Sequence, residues 1–227
     1  MKTLYKLTLI TILVLFCVFF TQASPEKEVW HAGHITLWNK TVLEGNLSYN
    51  WLAEMVMFRQ LDGRLHTFSA NQVVQFGWFD YSLHKNRDFR SLPGSATKNH
   101  DNRTFFEVWM DGPLAVVRRL RRSHGLFKRA FGHPSNYADQ PTMAQNTDLF
   151  DYYVQDAGRL MALDRFYLEI YQPLMTAYDR ELQAYVQQHN INTRTLLGRL
   201  VLIDQYNFLA QKDPRTASAR ESVPSQE

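Results

Sequence analysis

The spacing of apolar residues between positions 29 and 79 constrains the fold more than any other feature of the chain. Ile35 and Leu37 alternate with polar neighbours, and turn-forming pairs at Asn39-Lys40 and Asp62-Gly63 interrupt the alternation. Successive side chains of a β-strand point to opposite faces, so period two predicts strands. Asp-Gly accepts the positive φ of a tight hairpin. This segment therefore predicts four or five short strands in an antiparallel meander or small barrel.

Two further hairpins are predicted later in the chain. Asp111-Gly112-Pro113 separates two apolar segments at 105–110 and 114–120, and Asp156-Ala157-Gly158 separates segments at 150–154 and 160–163. Residues 80–103 and 132–148 are polar and rich in turn formers, which predicts loops.

The period then changes to three and four residues, which indicates amphipathic helices. Pro173 fits the first turn of one helix, and Asn192 or Thr193 fits the N-cap of a second. We expect these helices to form a hairpin against the sheet. The predicted fold class is thus α+β, a mainly antiparallel sheet or small barrel followed by a C-terminal helical hairpin.

The predicted organisation begins with a secretory signal peptide at residues 1–23. Lys2 and Lys6 precede an apolar stretch, and Thr21-Gln22-Ala23 is a small-residue cleavage site. A β-rich region at 24–164, a helical region at 165–212 and a disordered tail at 213–227 follow. The mature chain contains no second long apolar stretch, so no transmembrane span is expected after cleavage, and the protein is expected in the periplasm, at the cell envelope or secreted.

The only cysteine, Cys17, lies in the predicted signal peptide. The mature chain then has no disulfide, no catalytic thiol and no cysteine-ligated zinc, so its core must hold it together. We expect no cofactor.

Charge is unevenly distributed along the chain. Residues 85–133 contain eleven Lys or Arg against four Asp or Glu, a net charge of +7, whereas residues 139–213 have a net charge of −4. One interpretation is a basic face for an anionic partner. The other is that the two regions pack together and neutralise each other.

The sharpest local feature is a basic run that contributes four candidate binding residues, Arg118, Arg119, Arg121 and Arg122. A strand continuing from Leu114 would place Arg118 and Arg122 on one face and Arg119 and Arg121 on the other. A helix would instead form a membrane-surface pattern. The preceding Asp-Gly turn favours the strand, and a solvated edge strand is a purely structural use for such charges.

Glu107 and Asp111 are the weaker alternative, as the acid and base of a glycan hydrolase. His31 and His34 have the spacing H-x-x-H, but in a strand they point to opposite faces and do not readily share a metal ion. The chain lacks the G-x-S-x-G, G-x-x-x-x-G-K, G-x-G-x-x-G and H-E-x-x-H motifs. These observations favour a protein without catalytic activity.

Three groups of positions carry a resemblance to a class of uncharacterised exported proteins of Gram-negative bacteria. They are Gly33-x-Ile35-x-Leu37, Leu43-x-Gly45-x-Leu47-x-Tyr49 and Thr67-Phe68-Ser69-x-x-Gln72-Val73-x-x-Phe76. The resemblance covers most of the mature chain and implies a β-rich front, a late aromatic hairpin and a helical end. It implies no activity, cofactor or catalytic residue.

Together these patterns lead to one functional expectation and one alternative. The expectation is a non-catalytic binding or structural protein of the envelope, whose partner is an anionic envelope component or another envelope protein and is not a nucleic acid. The alternative is an exported hydrolase acting on a glycan or a related envelope polymer.

Overall fold

The computed structural model describes residues 29–94, 103–121, 139 and 141–213. Its ten strands form one antiparallel sheet in the order β10-β9-β8-β7-β6-β5-β1-β2-β3-β4. The strands are β1 His31–Leu37, β2 Val42–Asn50, β3 Met55–Arg59, β4 Leu65–Ser69, β5 Val73–Asp80, β6 Lys85–Pro93, β7 Arg103–Met110, β8 Ala115–Leu120, β9 Phe150–Asp156 and β10 Arg159–Ala162. Helices follow the last strand, so the predicted α+β class is confirmed.

The predicted turns lie where the sequence indicates. Lys40 has a φ of 66° between β1 and β2, and Gly63 has a φ of 85° between β3 and β4. Ala157 and Gly158 also have positive φ in the β9–β10 turn, as a two-residue hairpin of the tightest kind requires.

The first five strands form a tightly curled sheet. β4 and β5 are separated in the sheet by β3, β2 and β1, a distance of about 19 Å if the sheet were flat. Only residues 70–72 connect them, and that length of chain reaches about 14 Å at most, so the sheet must curl. Gly45 permits a close approach of β2 and β3 in this curl. A Cβ at this position would lie 2.6 Å from the carbonyl oxygen of Arg59, which is too close for a residue with a side chain.

The core fills the inside of this curl and continues along one face of the sheet. Tyr49, Phe76, Phe89 and Phe105 pack there with ring centroids 4.6 to 6.0 Å apart. A smaller cluster of Leu92, Phe106 and Val117 lies on the opposite face. We call the larger core side the inner face and the other side the outer face.

The loop predicted at residues 80–103 is wrong at Lys85–Pro93, because this segment forms β6 in the middle of the sheet; residues 95–102 lie outside the described residues. The polar composition misled the prediction. Arg87 is a fully buried inner-face residue and Asp88 is exposed, so the segment alternates although both residues are charged. Pro93 ends the strand, where a missing N–H is tolerated.

The helices are α1 Pro141–Gln145, α2 Asp179–Gln188 and α3 Leu196–Lys212. A π-helix, Phe166–Met175, precedes α2 and contains Pro173 in its interior, so the prediction of Pro173 in a first turn is wrong. The cap of α3 is Thr195, whose hydroxyl accepts a hydrogen bond from the backbone N–H of Gly198 at 3.1 Å. Asn192 instead closes a local turn by accepting from Arg194 N–H.

Leu200, Leu202 and Ile203 of α3 are buried in the main core, which packs the helical region on the sheet. No helix within the described part of the chain is long and apolar enough to cross a membrane. The predicted signal peptide and all of the predicted tail except Asp213 lie outside the described residues.

Candidate functional site

The first part of the basic run, which includes Arg118 and Arg119, lies in strand β8 as predicted, and the alternation of the strand divides the candidate binding residues. Arg118 points into the inner face and is 0% exposed. Arg119 lies on the outer face near the rings of Phe106 and Tyr153. Arg121 is exposed just past the end of the strand, and Arg122 lies outside the described residues. Arg118 therefore has no surface to offer a partner, and its assignment to a binding face needs correction.

Arg118 belongs to a buried ion-pair network that crosses three strands. Glu107 of β7 lies between two guanidinium groups, accepting from Arg87 Nε at 2.8 Å and from Arg118 Nε at 2.7 Å. All three side chains are essentially inaccessible. A charge in the core is tolerated only when it is paired and hydrogen-bonded, which explains why these residues occur together.

Asp139 connects the network to a distant part of the chain. Its carboxylate accepts from Arg87 Nη1 at 2.6 Å and from Trp51 Nε1 at 2.9 Å, and its backbone N–H donates to the carbonyl oxygen of Tyr49. Asp80 adds a third carboxylate, 3.4 Å from Arg87 Nη1. The network thus attaches Asp139 to the inner face.

The network keeps its groups charged. Burial alone would raise the pKa of Glu107, but the guanidinium groups of Arg87 and Arg118 hold that pKa below its usual value. Burial would likewise lower the pKa of Arg87, yet Glu107 and Asp139 raise it. Glu107 therefore stays a carboxylate held by two cations, and it has no proton to donate as a general acid.

Asp111, the proposed partner of Glu107, lies in a different environment. The register of β7 shifts between Val108 and Met110, and Asp111 follows in the β7–β8 turn with its side chain 70% exposed, 3.3 Å from Arg90 Nη2. The structure does not bring the two carboxylates into one cleft. A paired acid and base at these positions has no geometric support.

His31 lies beside the network and stacks on Trp78 with ring centroids 4.9 Å apart. Its Nε2 is 3.8 Å from Asp139 Oδ2, beyond hydrogen-bonding distance. Burial lowers the pKa of His31, while Asp139 and Asp80 act in the opposite direction and Arg87 adds to the lowering. The net effect is a lowered pKa, because the 3.8 Å distance to Asp139 is too long for that carboxylate to offset burial. We conclude that His31 is neutral at pH 7.

His34 lies elsewhere, as strand alternation predicts. It lines an outer-face cavity of about 480 Å³ with Val42, Glu44 and Leu61. Within the described ranges, no group of three or more His, Cys, Asp or Glu residues is arranged to hold a metal ion.

Contacts between the basic and acidic regions favour the interpretation in which they neutralise each other. Asp139 and Asp151 come from the acidic region, and they pair with Arg87 and Arg121 of the basic region at 2.6 and 2.8 Å. Arg90, Arg118 and Arg87 find further acidic partners within the basic region itself. Among the described residues of the basic region, Arg87, Arg90, Arg118 and Arg121 are therefore paired with carboxylates.

A second cavity, of about 440 Å³, lies between the ends of β8, β9 and β10 and the start of α3, and charged side chains from several elements line it. Its lining includes Arg121, Asp151, Tyr153, Asp164, Leu196 and Arg199. This volume lies in the range of small-molecule sites, which is about 300 to 1,000 Å³. We call it the α3 cavity.

The polar groups of the α3 cavity are held by the fold. Arg121 Nε donates to Asp151 Oδ1 at 2.8 Å, and its backbone N–H donates to the carbonyl oxygen of Leu149. Arg199 Nη1 donates to the carbonyl oxygen of Leu163 at 2.7 Å. Burial raises the pKa of Tyr153, so its phenol stays protonated and provides both a donor and an acceptor.

Arg121 was predicted from the sequence as a binding residue, whereas Asp151, Asp164 and Arg199 were not. No local pattern marks them, because they reach the α3 cavity from β9, a 3₁₀-helix at Leu163–Arg165 and α3. Only the packing of α3 on the sheet brings them together.

No family model matches this chain, and neither a curated protein nor a solved structure matches it. The fold and the α3 cavity therefore define it on their own, as an antiparallel β-meander protein with a C-terminal helical region and a polar cavity where the two meet.

Proposed function

We propose that the chain is an exported, envelope-associated binding protein without catalytic activity, and that the α3 cavity is its binding site. The observation that carries the proposal is the convergence of charged and aromatic side chains from separate elements on one cavity of small-molecule size. Concave sites lined by an apolar surface and a few fixed polar groups are typical of ligand binding.

Two observations support binding over hydrolysis. The carboxylate of Glu107 is neutralised by two arginines in the core, and Asp111 belongs to an exposed turn. A glycosidase requires two carboxyl groups that flank one bond, with the acid protonated before reaction. Neither residue meets that requirement.

Export is supported by the pattern of residues 1–23, which has a charged start, an apolar stretch and a small-residue cleavage site. A fusion of residues 1–30 to a reporter enzyme that is active only outside the cytoplasm tests this part. We expect reporter activity, and its loss when Leu13 and Leu15 are both replaced by Asp. If the unmodified fusion protein remained in the cytoplasm and showed no reporter activity, that result would contradict export.

Binding is tested by recording backbone amide NMR spectra of residues 24–227 while adding a small-molecule ultrafiltrate of periplasmic extract. We expect shifts of the amides of Asp151, Tyr153, Asp164 and Leu196, because these residues line the α3 cavity. Arg121→Gln should reduce the shifts.

Arg64→Gln is the matched control. Arg64 also forms an exposed pair with an aspartate, Asp62, at 2.6 Å, but it lies in the β3–β4 hairpin. Shifts that are confined to other surfaces, or that persist unchanged in Arg121→Gln, would contradict the proposed site.

A further inference from the structure

We infer that the ligand of the α3 cavity is a neutral polyhydroxylated molecule, such as a mono- or disaccharide unit of an envelope glycan. This inference rests on the proposed function and adds the chemical class of the ligand. It follows from the charge balance of the cavity, its hydrogen-bonding capacity and its aromatic surface.

The charges of the α3 cavity are balanced. Arg121 and Arg199 bring two positive charges, and Asp151 and Asp164 bring two negative charges. An anionic ligand would approach two carboxylates, a cationic ligand would approach two guanidinium groups, and a purely apolar ligand would displace water from all four groups without offering them hydrogen bonds. A neutral polar ligand avoids all three costs.

The hydrogen-bonding capacity left in the cavity suits hydroxyl groups. A guanidinium has five N–H donors and a carboxylate has about four acceptor positions. Arg121 donates to Asp151 Oδ1 and to the carbonyl oxygen of Phe150, which leaves donors on Arg121 and acceptor positions on Asp151 for a ligand. A sugar hydroxyl both donates and accepts, and neighbouring hydroxyls of one ring match alternating donors and acceptors without breaking the existing ion pair. A zwitterion would have to compete with that pair for each charge.

One partly exposed aromatic ring supplies the complementary apolar surface. Tyr153 lines the cavity and is half-buried, whereas Phe150 and Tyr152 line it only as residues buried in the core. The C–H groups of a pyranose ring pack on aromatic faces while its hydroxyls point to polar groups, and the Tyr153 hydroxyl adds a neutral hydrogen-bonding group. The combination of balanced charges and an accessible aromatic ring in one cavity carries the inference.

The experiment is an NMR titration of residues 24–227 with three separate classes of probe. The first is a set of neutral sugars containing glucose, galactose, N-acetylglucosamine and their disaccharides. The second is inorganic phosphate and glucose 6-phosphate, and the third is the zwitterionic dipeptide Ala-Ala. Each titration follows the amides of Asp151, Tyr153, Asp164 and Leu196, at low and at moderate salt.

We expect at least one neutral sugar to shift these amides, with an affinity that changes less than twofold between the two salt concentrations, because no net charge is neutralised. Arg121→Gln should weaken binding about tenfold, the loss expected for one charge-assisted hydrogen bond. Arg64→Gln should leave the affinity unchanged.

Asp151→Asn separates a neutral ligand from an anionic one by the sign of its effect. It removes an acceptor for hydroxyls, so it should weaken sugar binding severalfold, whereas it would strengthen the binding of an anion by removing a repelling charge. Stronger binding of glucose 6-phosphate than of glucose, increased further by Asp151→Asn, would overturn the ligand class.

The remaining outcomes distinguish the ligand class from the proposed function. Shifts produced by the dipeptide, or by the periplasmic ultrafiltrate alone, would overturn the sugar inference and leave the α3 cavity as a binding site. An absence of shifts at these amides with every probe and with the ultrafiltrate would overturn both.

Discussion

Arg118 and Arg121 belong to the same basic run but lie in opposite environments. Arg118 is fully buried and shares the carboxylate of Glu107 with Arg87. Arg121 has a side chain that is 58% exposed, and its partner Asp151 is 36% exposed at the edge of the α3 cavity. Both form ion pairs of similar length, at 2.6 and 2.8 Å, so distance alone does not distinguish them.

Access to solvent accounts for the difference between these two ion pairs. In the core, removing one partner leaves a charge without hydration or compensation, so the buried pair is costly to break. At the surface, water and salt replace the lost partner, so the exposed pair contributes little to stability. The buried arginine therefore has a structural role, while the exposed one is available for binding.

The largest expected effect is that of Glu107→Ala. This change leaves two guanidinium groups buried without their shared carboxylate, and we expect the free energy of unfolding to fall by about 3–5 kcal/mol. Urea unfolding followed by tryptophan fluorescence measures it. Asp111→Ala is the control on an exposed carboxylate and should change stability by less than about 0.5 kcal/mol. Equal effects of the two changes would show that the buried network has no special role.

The next effect is a loss of stability in acid that originates at His31. Because the pKa of His31 is lowered in the folded protein, the unfolded chain binds the proton more readily. The stabilisation that comes from keeping His31 neutral is fully present above its usual pKa of 6.5. This stabilisation is lost as the pH falls through the lower pKa of His31 in the folded state.

Urea unfolding at a series of pH values between 7.5 and 5 measures this loss. His31→Phe keeps an aromatic ring against Trp78 and should flatten the profile. His84→Asn, in the exposed turn before β6, keeps His31 and should retain the slope. A parent protein whose stability does not change over this range would contradict the assignment.

Glu107 should add a second loss at lower pH. The pKa of Glu107 is also lowered in the folded state. The stability gained from its ionised carboxylate is therefore fully present above its usual pKa of 4.5, and it is lost as the pH falls through the lower pKa of the folded state. The acid branch of the unfolding profile measures it, and Glu107→Gln should make that branch shallower than in the parent.

The smallest expected effect on stability is that of Arg121→Gln. The pair with Asp151 is exposed, so the free energy of unfolding should change by less than about 1 kcal/mol, as it should for Arg64→Gln. A double-mutant cycle with Asp151→Asn measures the coupling between the two groups. A coupling as large as that within the buried network would erase the distinction between the two regions.

Much of the fold was predictable from residues 29–120, because alternation and turn chemistry are local. Asn39-Lys40, Asp62-Gly63 and Asp111-Gly112 mark turns through the backbone conformations that they accept. The prediction failed at β6, where a buried arginine occupies an inner-face position. Burial of Arg87 is possible only because Glu107 and Asp139 come from elsewhere in the chain, and no local pattern contains that information.

The candidate site was less predictable than the fold. Arg121 stood out because it belongs to a basic run, but Asp151, Asp164 and Arg199 have no distinguishing neighbours. The same run also contained Arg118, which is structural. Sequence alone does not separate the two arginines, since the strand alternation that distinguishes their faces does not say which face is covered.

The strand-rich front, most of its turns and the helical end follow from the period of apolar residues and from local backbone preferences, so the order of residues is enough to predict them. Which charges are buried, which arginine remains exposed and where a cavity forms follow only from three-dimensional packing. Burial and ion pairing depend on residues far apart in the chain, which become neighbours only when the sheet curls and α3 packs against its end.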